Sequence, residues 1–347
     1  MTPKLKILFA QYSPFVTLLI AIVIFSALSP RFATPANLQV ILSNSAELGL
    51  LVMPLALLVM SGNIDLSVGS VVSMGSITGA AVMVATSSAS LGIAAAIIFG
   101  ACAGAVNGLL ISVFGMNPIV VTLGFLSVWG GLALFLTKGV SNADMPDAFL
   151  DLLRLKFGPV SIQVFLLLTV TVLSWFLLNK RPLGREILAV GGSKRAAYLI
   201  GINVKRIEFL LYVSTGAFAG LVGVMLAGKL ASASPSQGLG LEINALLVIL
   251  IGGVAFEGGS GRISGVVAGL LLIGALNNGL IIIGVSQFLQ SMIIGLVMVL
   301  AVALERTLRQ SVRSAWLQIG EKSTPKEKKE SPRSVVASQQ HDLSSEA

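Results

Sequence analysis

The chain has 347 residues, of which 55% are hydrophobic and only 11% are charged, and its mean hydropathy is +0.93. Soluble domains carry about 25% charged residues, so this composition excludes an ordinary soluble protein and indicates an integral membrane protein. In such a chain the net charge of +8 marks cytoplasmic loops rather than nucleic-acid binding. The single cysteine, Cys102, excludes an internal disulfide and is interpreted as a small core residue.

Apolar runs of roughly the 20 residues that a membrane-spanning helix needs recur along the whole chain. They lack the ten-residue alternation of barrel strands, which predicts an all-α, polytopic membrane protein with about ten transmembrane helices. The predicted spans are 13–29, 44–61, 66–86, 91–113, 118–137, 162–179, 207–228, 242–256, 263–283 and 286–304. The eighth is short and is either a nearly upright helix or half of a broken one.

Basic residues predict the orientation. Seven Lys or Arg residues fall in 179–206 and eight from Arg306 onward, and with Lys4, Lys6 and Arg262 they make 18 of the 23. The positive-inside rule then places residues 1–12, the segment 180–206 and the tail 306–347 in the cytoplasm. The tail is polar and charged, which predicts disorder, and residues 13–305 form the predicted transmembrane domain.

The stretch "SGNIDLSVGS", Ser61–Ser70, places an acid between two of the most apolar runs. A charge at the bilayer centre costs ~3 kcal/mol. One interpretation is a tight turn after which Asp65 caps the next helix, accepting from the amide of Ser67 or Val68. The alternative is a helix broken inside the protein beside a solute path, with Asp65 anchoring the broken end. Glu47 is a second acid in a span, either functional or at the outer rim.

The segment 180–206 combines basic charge with helix signals. The run "SKRAAYLIG" begins with Ser193 as a predicted N-cap and ends at Gly201, after a predicted turn at Gly191–Gly192. The apolar side of this short helix consists of Ala196, Ala197, Leu199 and Ile200. Such a helix suits docking in a groove of a partner protein, and a helix lying on the lipid surface is the alternative.

The chain carries no recognisable catalytic or nucleotide-binding motif. "GVMLAGKL", Gly223–Leu230, matches most of a phosphate-binding loop, but Leu230 replaces the Ser or Thr and no strand precedes it. His/Cys clusters, a Ser-His pair and metal-ligand spacings are also missing. We therefore predict no enzyme activity, no metal and no cofactor. Active transport would draw on another polypeptide or on an ion gradient, and an ion-coupled carrier or channel is the alternative class.

A short internal repeat accompanies these features. "GAVNGLLISVFGMNPIVVTLG" at 104–124 is similar to "GALNNGLIIIGVSQFLQSMIIG" at 274–295. In the ten-span arrangement these segments are spans four and five and spans nine and ten, which run in opposite senses. The pattern predicts a five-plus-five inverted repeat, common in transporters.

Four motifs in order resemble a known family. "SGNIDLSVGS", "GREILAVGGSKRAAYLIGINV", "GLGLEINALLVILIGG…GGSGRISG" and "NNGLIIIGVS" resemble the permease subunits of bacterial ABC importers for monosaccharides, over about residues 15–305. Autoinducer-2 permeases belong to the same family, and branched-chain amino-acid permeases share its architecture. The family usually has an acidic pair after the outer Gly-rich loop, whereas here Glu242 is followed by Asn244, which leaves the solute open.

The resemblance implies a subunit of the bacterial inner membrane with both termini cytoplasmic. Its expected partners are a cytoplasmic ABC ATPase, a periplasmic or extracellular solute-binding protein and a second permease, identical or homologous, and nucleic acid is not among them. The expected ATPase-coupling residues are Arg185, Gly191, Gly192, Ser193, Lys194, Arg195, Ala196, Ala197 and Gly201. The residues expected at the translocation path or helix break are Glu47, Asn63, Asp65, Ser67, Asn107, Asn117, Asn277 and Asn278.

Overall fold

The structure, a computed structural model, describes residues 3–142, 145–158, 160–297 and 299–300. Of the described residues, those from 11 to 300 belong to one compact unit. The tail predicted to be disordered, 306–347, lies outside the described residues.

The described residues are mostly helical, and the all-α class is confirmed. The helices are α1 (Pro3–Leu28), α2 (Pro35–Met60), α3 (Val68–Thr86), α4 (Ala89–Gly108), α5 (Pro118–Thr137), α6 (Asp147–Arg154), α7 (Ile162–Lys180), α8 (Pro182–Gly192), α9 (Lys194–Leu199), α10 (Val204–Lys229), α11 (Leu241–Ile251), α12 (Ile263–Ile282) and α13 (Gln287–Val297). A π-helix, Leu109–Val113, extends α4. Two short strands, β1 (Lys156–Phe157) and β2 (Val160–Ser161), pair antiparallel.

Within the described residues, seven helices are long and apolar enough to cross a membrane: α2, α3, α4 with its π extension, α5, α7, α10 and α12. The chain is therefore a multi-pass membrane protein. Shorter apolar helices, Tyr12–Leu28, α11 and α13, occupy the positions of the first, eighth and tenth predicted spans. The eighth ends at Ile251 rather than 256, because Gly252 and Gly253, the latter with φ +76°, follow it. The count of ten and the inverted repeat stay predictions.

Helices α4 and α10 pack with their backbones in contact. Gly100 and Gly104 on α4 face the middle of α10 around Gly216 and Gly220, and a Cβ at any of the four would overlap backbone atoms of the opposite helix. Glycines four residues apart allow this close approach of membrane helices. Cys102 lies between the α4 glycines in sequence but is exposed, so its interpretation as a core residue is wrong.

Helix α2 lies at the centre of the packing. Thr34 caps its N-terminus by accepting from the Asn37 amide at 3.3 Å, and Pro35 occupies the first turn. Every side chain from 50 to 60 is buried, so the helix contacts neighbours on all sides, among them α7, α10, α11 and α12. The segment that follows α2 therefore begins in the protein interior.

Among the described residues, three helices lie outside the predicted spans: α6, α8 and α9. Helix α8 begins with Pro182 in its first turn and includes Gly191 and Gly192 as its last residues, so the predicted Gly191–Gly192 turn is wrong. The short helix α9 agrees with its prediction. Ser193 Oγ accepts from the Ala196 amide at 3.3 Å, and Gly201 ends the segment at φ +87°.

Candidate functional site: a buried helix break beside the basic segment

The segment between α2 and α3, residues 61–67, interrupts the helical path inside the protein. Gly62 takes φ +81°, a conformation that favours glycine, and the Ser61 hydroxyl donates to the Leu58 carbonyl at 2.6 Å. The buried polar side chains of the break are Ser61, Asn63, Asp65 and Ser67. The predicted turn is confirmed, and it lies in the interior, as the alternative of a broken helix expected.

The Asp65 carboxylate organises the second half of the break. Its Oδ1 accepts the Ser67 amide at 2.8 Å and the Ser67 hydroxyl at 2.6 Å. Asn107 of α4 donates from Nδ2 to Ser67 Oγ at 2.8 Å and lies 3.3 Å from Asp65 Oδ2. The predicted bond from the Ser67 amide is confirmed, although Ser67 itself is the N-cap of α3. Within the described part of the chain, buried Asn107 Oδ1 has no hydrogen-bond partner.

The first half of the break is held by two residues of α10. Asn63 donates from Nδ2 to Glu208 Oε1 at 2.9 Å, and the Tyr212 hydroxyl donates to the Ile64 carbonyl at 3.0 Å. Lys194, the first residue of α9, forms an ion pair with Glu208 Oε1 at 2.6 Å. The sequence analysis missed Glu208 and Tyr212. The available signal was an acid at the start of the apolar run 207–228.

The C-terminal end of α8 packs against the break. A Cβ on Gly191 would overlap the carbonyl oxygen of Met60 and the backbone nitrogen of Gly259. These two groups also bond to each other, because the Gly259 amide donates to the Met60 carbonyl at 2.9 Å. Three backbone segments therefore meet at one point, which only a residue without a side chain can occupy.

The segment around α9 exposes three of the four apolar residues predicted to face a partner, Ala196, Leu199 and Ile200, and buries the fourth. Ala197 is 2% exposed, whereas Tyr198, Leu199 and Ile200 are 73–74% exposed. The inclusion of Ala197 among partner-facing residues is therefore wrong, because its methyl group already packs within this chain. Tyr198, Leu199 and Ile200 are therefore three consecutive exposed apolar residues on the outward surface, close in sequence to the exposed Lys194 and Arg195.

The other predicted acid, Glu47, lies at the opposite end of the α2–α10 pair. Lys229 Nζ is 3.1 Å from Glu47 Oε1 and donates to Asn44 Oδ1 at 3.3 Å. The Glu47 side chain is 5% exposed and that of Lys229 is 37% exposed. The acid is thus buried with a paired charge, as intramembrane acids usually are.

The remaining predicted asparagines lie elsewhere. Asn117 is exposed and caps α5, accepting from the Ile119 amide at 2.9 Å. Asn278 of α12 accepts from Asn37 Nδ2 at 2.8 Å, at the N-terminal end of α2, and Asn277 precedes it in the same helix. In the hydrogen bonds of the described residues, none of these three joins the cluster around Asp65. The structure brings together only four of the eight predicted path residues.

Glu242, at the start of α11, is a further buried carboxylate. Its Oε1 accepts from the Gly240 amide at 3.2 Å, while Oε2 is buried without a partner among the described residues. The carboxyl group fills the space where a Cβ on Gly69, in the first turn of α3, would lie. Glu242 Oε2, an acceptor with no hydrogen bond among the described residues, therefore lies next to the first turn of α3.

The phosphate-loop lookalike carries no site. Residues 223–229 lie within α10, so they form a helix and not a loop. Among the described residues no group of three or more His, Cys, Asp or Glu side chains is placed to hold a metal ion. The site combines uncharged hydrogen-bonding side chains with the Asp65 carboxylate and the Lys194–Glu208 ion pair.

Substitutions at Asp65 are expected to distinguish its role as an acceptor at the start of α3 from a requirement for its negative charge. Asn caps helix starts about as well as Asp, so Asp65→Asn should melt near the wild-type temperature and keep the wild-type activity. Asp65→Ala leaves the Ser67 amide and the Ser67 hydroxyl without their acceptor, which costs about 1–3 kcal/mol each for a buried group. Thermal unfolding and activity per folded protein measure both effects. A folded but inactive Asp65→Asn would show that the negative charge itself is required.

With this geometry described, comparison with known proteins identifies the class. Residues 37–302 match the family described as "Branched-chain amino acid transport system / permease component". The match covers more than half of the chain, and the chain belongs to this permease family. The predicted resemblance to permease subunits of ABC importers is confirmed at this level. Such subunits are not enzymes, and a separate ATPase hydrolyses ATP.

Individual relatives are similar along nearly their whole length. The ribose import permease protein RbsC of Bacillus subtilis is 36% identical over 85% of this chain and 92% of its own. The D-allose transport system permease protein AlsC of Escherichia coli is 34% identical over 86% and 92%. The L-arabinose ABC transporter permease protein AraH of Azospirillum brasilense is 33% identical over 85% and 88%. No solved structure gives a significant match.

Proposed function

We propose that this chain is the membrane-spanning subunit of an ATP-driven importer for a monosaccharide. The observation that carries the proposal is the similarity, at 33–36% identity over at least 84% of this chain, to permeases whose names specify ribose, arabinose and allose. A sugar is neutral and rich in hydroxyl groups, so it needs hydrogen-bonding partners along a path through an apolar protein.

The buried break supports a path with this chemistry. Asn63, Asp65, Ser67 and Asn107 cluster at the junction of α2, α3 and α4. Non-helical backbone at membrane depth is tolerated where it is buried in protein or lines a cavity, and transporter sites are often built from such broken helices. Glu47, Asn277 and Asn278 are proposed as more distant path residues. Asn117, which is exposed and caps α5, also stays a proposed path residue, away from the break.

The segment α8–α9 is proposed to dock on the ATPase. Tyr198, Leu199 and Ile200 form its exposed apolar surface, and Lys194 and Arg195 add positive charge. Exposed apolar side chains on a helical turn suit a groove in a partner protein. The remaining residues of the proposed coupling segment, Arg185, Gly191, Gly192, Ser193, Ala196, Ala197 and Gly201, shape and position that surface.

The proposed assembly contains two permease subunits, identical or homologous, two cytoplasmic ATPase domains and a solute-binding protein on the outer face. The permease domain is residues 13–305, with ten spans in a five-plus-five inverted repeat, in the bacterial inner membrane. Residues 1–12, 180–206 and 306–347 are proposed to lie in the cytoplasm, because they carry most of the Lys and Arg residues.

Two other solutes are compatible with the family. The description of the matching family names branched-chain amino acids, and autoinducer-2 permeases resemble the chain through the motifs quoted above. An ion-coupled carrier or channel is set aside, because the chain belongs to a family of permease components of ABC importers.

The test is uptake by the assembled importer. The chain is co-expressed with a candidate partner ABC ATPase and a candidate solute-binding protein, purified and placed in proteoliposomes. We expect ATP-dependent accumulation of labelled ribose, arabinose or allose and none of labelled leucine. Accumulation of leucine alone would contradict the proposed solute class, and uptake without ATP would contradict the proposed energy source.

The same preparations report orientation. Cysteine introduced at Ser193 should react with an impermeant label only from the side on which the ATPase binds, and cysteine at Ser234 only from the other side. The Cys102→Ser background removes the native thiol, which is exposed on α4. Labelling of both positions from one side would contradict the proposed topology.

A further inference from the structure

Three charged or polar side chains from three separate segments meet beside the break. Lys194 of α9 pairs with Glu208 of α10 at 2.6 Å, and Glu208 accepts from Asn63 Nδ2 at 2.9 Å. The Asn63 amide closes the triangle, because its Oδ1 accepts from Lys194 Nζ at 3.4 Å. One Asn side chain thus donates to the acid and accepts from the base.

The burial of this triangle differs from one corner to the next. The side chain of Glu208 is 5% exposed and Asn63 is 1% exposed, whereas the Lys194 side chain is 49% exposed. The network therefore runs from the surface of the basic segment to the interior of the break. Lys194 begins the helix whose next turn presents Tyr198, Leu199 and Ile200 outward.

Helix α10 holds the break at two successive turns. Glu208 binds the side chain of Asn63, and Tyr212, four residues later on the same face, binds the carbonyl of Ile64. Asp65 and its partners Ser67 and Asn107 follow directly in the chain. A displacement at Lys194 therefore acts on the first residues of a short segment that ends in the Asp65 cluster.

We propose that Glu208 is the positioning residue that couples α9 to the helix break, by binding Lys194 and Asn63 at once. The inference rests on the proposed function, because it takes α9 as the ATPase-docking segment. An apolar contact would also hold α9 in place, but it has no fixed direction. An ion pair with a buried acid is directional and costs free energy to separate, so it transmits a pull from one partner to the other.

The test measures sugar uptake per ATP hydrolysed in the proteoliposomes described above. Glu208→Gln keeps the shape and can still bond Asn63, but it loses the charge that binds Lys194. We expect the ATPase to bind and hydrolyse ATP, while uptake per ATP falls about tenfold, within the range typical of coupling between two sites. Lys205→Met, an exposed neighbouring cation on the first turn of α10, is the matched control and should leave the ratio unchanged.

A charge swap separates coupling from simple stabilisation. In Lys194→Glu with Glu208→Lys the ion pair is reversed, and Asn63 can turn its amide by 180° to accept from Lys and donate to Glu. We expect the swap to recover most of the lost uptake per ATP. If Glu208→Gln does not assemble, Lys194→Met carries the test, since that side chain is half exposed and Glu208 keeps its hydrogen bond from Asn63.

The outcomes distinguish the proposed coupling role of Glu208 from the proposed transport function of the chain. An inactive wild-type complex would contradict the proposed function. An active wild-type complex, with Glu208→Gln or Lys194→Met at the wild-type ratio, would overturn the coupling role alone. A folded swap no better than the single substitution would do the same, because it would show that the pairing itself is not what matters.

Discussion

Replacing Gly191 by alanine is expected to prevent the last turn of α8 from packing against the helix break. The new Cβ would overlap backbone atoms of Met60 and Gly259, which are bonded to each other and cannot move independently. Overpacking of a tight interior costs 1–3 kcal/mol and occasionally more. Because the new Cβ would meet backbone atoms of two segments, we expect the free energy of unfolding to fall by about 3 kcal/mol or more. The effect should be seen as a lower melting temperature and a smaller folded fraction.

The next residue supplies the control. Gly192 also lies in the last turn of α8, and a Cβ there would have nothing within 4 Å. Gly192→Ala changes composition and helix propensity in the same way, so it should melt at or slightly above the wild-type temperature. Equal melting of the two variants would contradict the close backbone junction.

Replacing Leu199 by glutamate is expected to abolish docking of the ATPase. Leu199 is among the most exposed apolar residues on the described surface, at 74%, and lies in the proposed docking segment. Burial of a leucine contributes about 1.5–3 kcal/mol, and forcing an unpaired charge into its place adds a desolvation cost. We expect affinity to fall by a factor of about 100 or more, which corresponds to ~3 kcal/mol.

Co-purification of the ATPase with tagged permease measures this loss. Leu230→Glu is the matched control, since Leu230 is 64% exposed and follows the opposite end of α10. That variant should retain the ATPase. Retention by Leu199→Glu at the wild-type level would show that the partner binds elsewhere.

Local features of the site could be predicted from the sequence, because short-range chemistry determines them. The bond from Ser67 to Asp65 spans two residues, and the Ser193 cap spans three. The seven long apolar helices of the described residues were predictable for a similar reason, since apolar runs of bilayer length have few alternatives to helix. These features do not depend on which helices become neighbours.

The rest depends on tertiary neighbours. Glu208 lies 145 residues from Asn63 in sequence, so its partner was not predictable from periodicity. Gly191 was interpreted as a turn because glycine often is one. Its role is instead to let three backbone segments meet, which is visible only once α8 lies against α2. Ala197 was predicted to face a partner for the same reason, because the periodicity does not show that it is already buried against other residues of this chain.

The two polar ties between α2 and α10 limit how that helix pair can move. Asn63 meets Glu208 near one end, and Glu47 meets Lys229 at the other, about 30 Å further along α10 at 1.5 Å per residue. A slide by one helical turn would break both contacts together and leave the buried acids Glu208 and Glu47 without these partners. A tilt pivoting on one tie separates only the other. The cheaper motion therefore parts the two helices at one end of the pair while they stay in contact at the other end.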